Sequence, residues 1–482
     1  RVTDAVIKDN VVVRANLSER DDNRNPGGRY GGAINLVHEV EQVLVVGNQI
    51  YGGEADGIRL RNHLVGSNLL FTDNVISHNL GRGFVCSLSG DSNLQGPVLS
   101  GNLLWANASG ALFIGGNVTD VDLADNAISM SPAGGRPVVV EGFQVPVGGV
   151  TVAETGPTYV DVYLKARTAS LMSGWQPLPM LDLLTPEVVL NVRDYGAVGD
   201  GQTNDTRAFL AALKSLPDGG LLFIPEGEYL LEPVVGEDEF PFTKIRHHLV
   251  LYERKNVIIQ GAGTGKTTLI FTSAEHQGWR FINVQNVSLR GFTMALTQRP
   301  DYRKNRALLD VVACTGVQIT DLMVQDAGGP GIRLDASDQV LIRDCTVKNA
   351  MTNGVNILAS REVTIENTEI TDSFDHGIYL SYHGGIARLP QYIRLKNNRI
   401  LGTENGFGIA VATGDWVEVV DNYIEGTYQA GVMLYQHHGL FWPGSILVKG
   451  NHLQNVGSGE HTITLGAISI VRCRSGAFEL ID

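Results

Sequence analysis

Residues 363–370 read VTIENTEI and residues 376–380 read HGIYL. The same design returns as VEVVDNYI (417–424) with AGVML (430–434). It returns again as VLVVGNQI (43–50) after GGAINL (31–36), and as LLFTDNVI (69–76) with RGFVC (82–86). Each unit is an apolar alternating strand, an Asn or Asp, a second apolar strand, then a Gly that opens a third. The Asn/Asp position can be followed through Asp321, Asp344, Asn367, Asn398, Asn422 and Asn451, and through Asn10, Asn48, Asn74, Asn102 and Asn126, at shortest intervals of 23 or 24 residues. One such unit cannot bury its apolar face alone, whereas a stack can. Alternation sends every second Val, Ile or Leu inward onto the next coil. An inward Asn at each turn can bond its neighbours in a ladder. The expected fold is all-β, a right-handed parallel β-helix.

Composition agrees. The 482 residues include 57 glycines, 43% are hydrophobic and only 7% are aromatic, which fits many tight turns around a core of small aliphatic side chains. A net charge of -14 argues against nucleic acid or an anionic membrane surface as partner, without excluding a local basic patch for an acidic glycan. No apolar run approaches the ~20 residues of a membrane helix. Cys86, Cys314, Cys345 and Cys473 sit in apolar strand-like contexts and read as buried small hydrophobes.

Residues 203–216 form an amphipathic pattern, with Asp205 as expected N-cap and Asp218-Gly219-Gly220 as stop. The surrounding stretch 191–231, NVRDYGAVGDGQTNDTRAFLAALKSLPDGGLLFIPEGEYLL, is similar to the N-terminal cap of the pectate-lyase-like β-helix superfamily, which includes polygalacturonases, mannuronan epimerases, pectate-lyase-type modules and phage tailspikes. The resemblance implies a capped β-helix and a carbohydrate-directed activity. It does not choose among the superfamily's chemistries.

The cap lies far into the chain, although residues 1–130 already read as coils. Joining GAFELID (476–482) to RVTDAVIKDN (1–10) gives a coil that matches GAINLVHEVEQVLVVGN (32–48), with Gly476 against Gly31, Leu480 against Leu36 and Asn10 against Asn48. The expectation is a circularly permuted order: cap and first strands at 191–231, coils through 232–482, then coils at 1–130, with 131–190 as a return segment holding a small β element. The alternative is two half-helices whose open edges pair with another molecule, a possible homo-oligomer.

Chemistry on a solenoid belongs on outward strand residues and interrupting loops. Four loops stand out: 298–306 (QRPDYRKNR), 381–392 (SYHGGIARLPQY), 435–443 (YQHHGLFWP) and 17–30 (LSERDDNRNPGGRY). Guanidinium groups grip carboxylates in a bidentate way and aromatic rings face sugars. Expected substrate-binding residues are Arg299, Tyr302, Arg303, Tyr392, Tyr435, His437, His438 and Trp442, together with Arg59 and Arg61 beside Glu54 and Asp56. The densest cluster is Asp375, His376 and Tyr379, followed by Tyr382, His383 and Arg388; these are the expected catalytic residues.

His376 resembles the histidine of the polygalacturonase GHG motif. That resemblance implies aspartates at the same turn of the two preceding coils, where this chain has Pro330 and Asn353. Hydrolysis with inversion needs two carboxyl groups, so this departure argues against it. The mannuronan-epimerase DPH motif is missing as well. β-Elimination needs a base, a cation for the uronate carboxylate and a proton donor, which the cluster offers with no metal or other cofactor. The expectation is a secreted or periplasmic polysaccharide lyase acting on an acidic glycan. A hydrolase of the same fold and a non-catalytic, tailspike-like glycan binder are the alternatives. GAGTGKTT (261–268) imitates a phosphate loop, but Gln260 stands where its first Gly belongs.

Overall fold

The computed structural model describes residues 2–13, 15, 32–53, 55–77, 79–88, 93–105, 107, 109, 112–115, 118–119, 121–123, 126–128, 138–141, 186–233, 247–301, 303–382, 388–435, 444–457 and 466–471. The chain is a right-handed parallel β-helix, and its coils divide into two compact units. One comprises Pro177–Glu404, the other Arg1–Gln176 with Asn405–Asp482.

In the unit Pro177–Glu404, successive third strands run in parallel register: Leu309↔Ile332, Ile332↔Val355 and Val355↔Ile378. Ile332, Leu334, Val355, Ile357, Ile378 and Leu380 are fully buried in the core. The intervening residues Arg333, Asp335, Asn356 and Tyr379 take the opposite face, as strand alternation requires. The cap helix runs Thr206–Ser215 and buries Ala208, Phe209, Ala212 and Leu213, with the Phe209 ring edge-on to Tyr229 at 5.4 Å. It starts later than the pattern suggested. Asp205 occupies the N-cap position without a side-chain cap bond. Its carboxylate instead accepts the N–H groups of Val198 (2.7 Å) and Gly199 (3.1 Å), while Asn204 Oδ1 accepts from Thr206 N at 3.0 Å. The phosphate-loop imitation is a coil turn: Thr267–Phe271 is a strand, and Thr267 Oγ1 donates back to the carbonyls of Ile224 and Pro225.

Beside the cap, His248 is fully buried. Its Nδ1 lies 2.9 Å from the Gln277 carbonyl, and its Nε2 has no hydrogen-bond partner. Burial draws its pKa down to about 4; the Gln277 contact opposes this, and His276 and His247 add to it. A folded-state pKa below the unfolded value means the unfolded chain takes up the proton first as pH falls. Stability should therefore decline between pH 6.5 and about 4, by roughly 3 kcal/mol from this group. Denaturant titrations across that range should show the decline, and His248→Phe should flatten it.

In the unit holding both chain ends, the strand Val2–Lys8 lies between two others. It pairs with Gly444–Lys449 on one side (Ala5↔Ile446, Ile7↔Val448) and with Leu44–Val46 on the other (Val6↔Leu44, Ile7↔Val45). Val11–Val13 likewise lies between His452–Gln454 and Gln49–Tyr51. Val6, Leu44, Val46, Leu70 and Leu447 form one buried cluster from both ends of the chain. One register differs from the sequence expectation. The partner of Leu36 is Ile470 rather than Leu480, because GAISIV at 466–471 offers the same Gly-Ala opening before GAFELID does. Residues 472–482, with Gly476, Leu480 and Cys473, lie outside the described residues.

The asparagine ladder crosses the chain ends without a break. Each Oδ1 accepts the backbone N–H of the preceding rung: Asn422 N to Asn451 at 2.9 Å, Asn451 N to Asn10 at 3.0 Å and Asn10 N to Asn48 at 3.1 Å. It continues from Asn48 to Asn74, from Asn74 to Asn102 and from Asn102 to Asn126. Removing one rung strands the buried N–H donors of the rung before it. Asn10→Ala should cost at least about 2 kcal/mol in denaturant unfolding.

In the other unit Asp321, Asp344 and Asn367 fall one place before the rung, while Asn398 is a rung as expected. Asp321, Asp344 and Asn367 have positive φ values of 49°, 54° and 50° and form the turn corner. Cys345, Thr368 and Asn398 follow the turn, and Thr368 N donates to Asn398 Oδ1 at 3.1 Å. Cys86, Cys314 and Cys345 are buried thiols, and burial raises their pKa to about 12, 11 and 12.

Candidate functional site

The turn between Glu369–Ser373 and Ile378–Ser381 delivers Asp375 and His376 to the mouth of the third strand, and Tyr379 stands one strand residue beyond Ile378. The His376 and Tyr379 rings lie 5.1 Å apart, tilted by 33°. His376 is fixed from the preceding coil: its backbone N–H donates to Asn353 Oδ1 at 3.0 Å, and Asn353 Nδ2 donates to Asn356 Oδ1 at 2.5 Å. Asn353 thus takes the place of the expected aspartate and positions the His376 backbone.

Arg303, from the 298–306 loop, reaches this turn. Its Nη1 lies 3.2 Å from Asp375 Oδ1, and its guanidinium carbon sits 4.4 Å over the Phe374 ring. Burial raises the Asp375 pKa, and the Arg303 charge recovers only part of the shift. The fold therefore brings together Asp375, His376, Tyr379 and Arg303 from two separated loops.

Other expected residues are placed differently. Arg299 is committed within the fold: it pairs with Glu404 at 2.7 Å, donates to Met351 Sδ at 3.0 Å and bonds Asn349. Arg388 is tied to Asp338, which opens a first strand, so it stands beyond the far end of the third strand from His376. Burial lowers its pKa. Tyr392, at φ 56°, is a left-handed kink at the second position of the strand Gln391–Lys396, and Tyr382 follows Ser381 directly. Tyr435 lies in the other unit, buried with its ring 5.9 Å from Phe407, so it packs in the fold rather than offering a face to a sugar. Tyr302, His383, His437, His438 and Trp442 lie outside the described residues, as do residues 16–31 and Glu54. Arg59 and Arg61 share one face of Asp56–Ser67 in the unit with the chain ends, flanking the buried Leu60.

The sequence reading missed the row of polar residues that continues Tyr379 along the sheet. In register, Tyr379 follows Asn356, Arg333, Asp310 and Arg280. Asp310 is fully buried between two guanidiniums. It takes Arg333 Nε and Nη2 at 2.8 and 2.9 Å, while Arg280 Nε approaches to 3.0 Å. Burial works against the Arg333 charge, but Asp310 more than restores it and leaves its pKa above the usual arginine value. The signal was present in the sequence: the third strands read WRF, LDV, IRL, VNI and IYL, each with a polar or hydroxyl-bearing centre between apolar neighbours. Arg280, Asp310, Arg333 and Asn356 are all buried, and this polar row leads to a half-buried imidazole and phenol at one end.

Residues 3–128 match the right-handed β-helix region, and residues 189–433, half of the chain, match the family described as rhamnogalacturonase A/epimerase, pectate lyase-like. Among curated proteins, Alginate lyase 7 of Azotobacter vinelandii is 41% identical over 81 residues, 16% of this chain and 8% of its own length. Plasmin and fibronectin-binding protein A of Streptococcus pneumoniae is 36% identical over 75 residues, 15% of this chain and 10% of its own. The chain thus spans a tenth or less of the length of these relatives. Among solved structures, the A-module of the Azotobacter vinelandii mannuronan C-5 epimerase AlgE6 superposes with a TM-score of 0.40 at 16% identity, covering 59% of this chain and 99% of that one. With its cap and the His376 turn inside the matched segment, the chain belongs to the rhamnogalacturonase A/epimerase, pectate lyase-like family.

Proposed function

We propose that this protein cleaves an acidic polysaccharide by β-elimination, with His376 and Tyr379 as its acid–base pair. The observation that carries the reading is their adjacency, 5.1 Å between rings, at the end of the Arg280–Asp310–Arg333–Asn356 strip. His376 removes the proton α to a uronate carboxylate. Arg303 balances the charge that develops on that carboxylate. The C4–oxygen bond breaks as the C4=C5 double bond forms, and the Tyr379 hydroxyl protonates the departing oxygen. Tyr382, His383 and Arg388 serve the substrate beyond this pair. A polymer of this kind is met outside the cytoplasm, so the reading includes a secreted or periplasmic protein.

Incubation with a panel of polyuronates should produce the ultraviolet absorbance of unsaturated uronate ends. Reducing ends without that absorbance would overturn elimination in favour of hydrolysis. One observation favours that second reading: Asp375 is a carboxyl group with a burial-raised pKa, the property a general acid needs.

We also infer that the chain order is circularly permuted, the coils of residues 2–128 following those of 405–471. The pairing of Val2–Lys8 with Gly444–Lys449 and the Asn451–Asn10 rung support it. Closure within one chain, rather than through a second molecule, predicts a monomer at low concentration in analytical ultracentrifugation.

A further inference from the structure

The unit that holds both chain ends carries a second, charged copy of the polar arrangement around His376. At 353–376, the side chain before a strand-opening glycine accepts the backbone N–H of its counterpart one coil on: Asn353 Oδ1 from His376 N, 3.0 Å. At 56–82 the same bond is made by Asp56 Oδ1 from Arg82 N, 2.7 Å. The backbone frames agree. Gly354 N donates to His376 O and Val355 N to Gly377 O, just as Gly57 N donates to Arg82 O and Ile58 N to Gly83 O. In both places the side chain before the glycine also bonds the residue three positions on, Asn353 with Asn356 at 2.5 Å and Asp56 with Arg59 Nη1 at 2.6 Å.

The two copies differ in charge. Where one has Asn353, Asn356 and His376, the other has Asp56, Arg59 and Arg82. Arg61 adds a further guanidinium on the Arg59 face of the strand, and the Arg82 guanidinium carbon lies 4.4 Å over the Phe113 ring. Two cations, Arg59 and Arg82, act on the Asp56 carboxylate, and Arg61 stands two residues past Arg59 on the same face, in a chain whose net charge is -14. Asp56 is buried, and a buried carboxylate persists only when it is paired and hydrogen-bonded. Its bonds to Arg59 and to the Arg82 backbone meet that need and hold Arg59 in place. Arg82 is stacked, Arg59 is clamped and Arg61 sits beside it, so little side-chain freedom is left to lose when an anion arrives.

We propose that Arg59, Arg61 and Arg82 form a second binding site, for the carboxylate groups of an acidic glycan chain, with Asp56 as its positioning residue. The site binds and does not cut: the imidazole that His376 supplies at the first copy is replaced here by Arg82, which cannot exchange protons near neutral pH. The proposal rests on the reading that the substrate is an acidic polysaccharide, but not on how that substrate is cleaved.

The test uses the full chain carrying His376→Ala, which keeps the probe intact, and size-defined oligouronates with a neutral oligoglucan as control, measured by calorimetry. Adding Arg61→Gln and Arg82→Gln should weaken oligouronate binding at least tenfold. Arg61→Lys with Arg82→Lys should retain more of the affinity, because the charge remains while the fork is lost. Asp56→Asn, close in shape, should weaken binding severalfold, with its melting temperature recorded alongside because the variant also removes the charge paired with Arg59. Affinity within twofold of the parent in the glutamine variant, with its circular dichroism unchanged, would overturn the site. Equal binding of the neutral glucan would overturn its carboxylate chemistry. Binding that survives while the wild-type chain forms no unsaturated ends would count against elimination alone and support this site.

Discussion

Replacing His376 with alanine is expected to lower the rate of polyuronate cleavage by about 10²–10⁴-fold, the usual contribution of a placed general acid or base. The fold should be unaffected. What holds the turn is the His376 backbone N–H on Asn353, not the imidazole, so the coil keeps its register when the ring is removed. Tyr379→Phe should produce a loss of similar order by removing only the phenolic oxygen. The double variant should be little slower than the worse single one, because the two groups act in one step and such losses do not add. Initial rates of unsaturated-end formation, with melting temperatures as a control on folding, provide the measurement. A His376→Ala protein that retained more than a third of wild-type activity would remove the imidazole from the mechanism.

The largest effect on stability is expected at Asp310. This carboxylate is wholly buried and bridges Arg333, held by two hydrogen bonds, and Arg280. Asp310→Ala would leave two buried guanidiniums facing each other across a cavity without the carboxylate that bridges them, Asp335 acting on Arg333 only. Breaking a buried ion pair from one side costs about 3–5 kcal/mol, because the remaining charge stays desolvated and unpaired. Chemical denaturation should show a loss of that order. Replacing Arg280, Asp310 and Arg333 together with apolar residues of similar volume should cost much less, since no unpaired charge is left behind. If the triple replacement retains stability but loses substrate binding, the strip is there for the ligand rather than for the fold.

The residues of this chain differ in how far they could be read in advance. The coil repeat was legible because alternation and the turn Asn are local properties, each set by a few consecutive residues. Even so, Asp321, Asp344 and Asn367 misled by one place. Asp and Asn suit both the left-handed corner and the inward rung, and only the pairing of coils shows which position each one fills. Asp205 was legible as the residue before a helix, but not as the acceptor for the Val198 and Gly199 N–H groups. Among candidate site residues, the Asp375–His376–Tyr379 group was visible because its members are near neighbours in sequence. Arg303 was visible only as one cation in a mixed loop; its ion pair with Asp375 spans 72 positions and follows from coil stacking. Arg280, Asp310 and Arg333 were passed over because single polar residues inside apolar strands look unremarkable until register sets them side by side.

By itself, then, the sequence determined the coil and the cap. These depend on periodicity and on side-chain preference for a turn or a pleat, and both act over a few residues. The tertiary structure alone decided which polar side chains became neighbours. In a parallel β-helix, residues about one coil apart in sequence are brought side by side, at the ~4.8 Å spacing of paired strands, and loops of unequal length make that sequence offset irregular. It put Asp310 between Arg280 and Arg333, gave His376 its Asn353 support, and made Asp56, Arg59 and Arg82 a charged counterpart of that turn in the other unit.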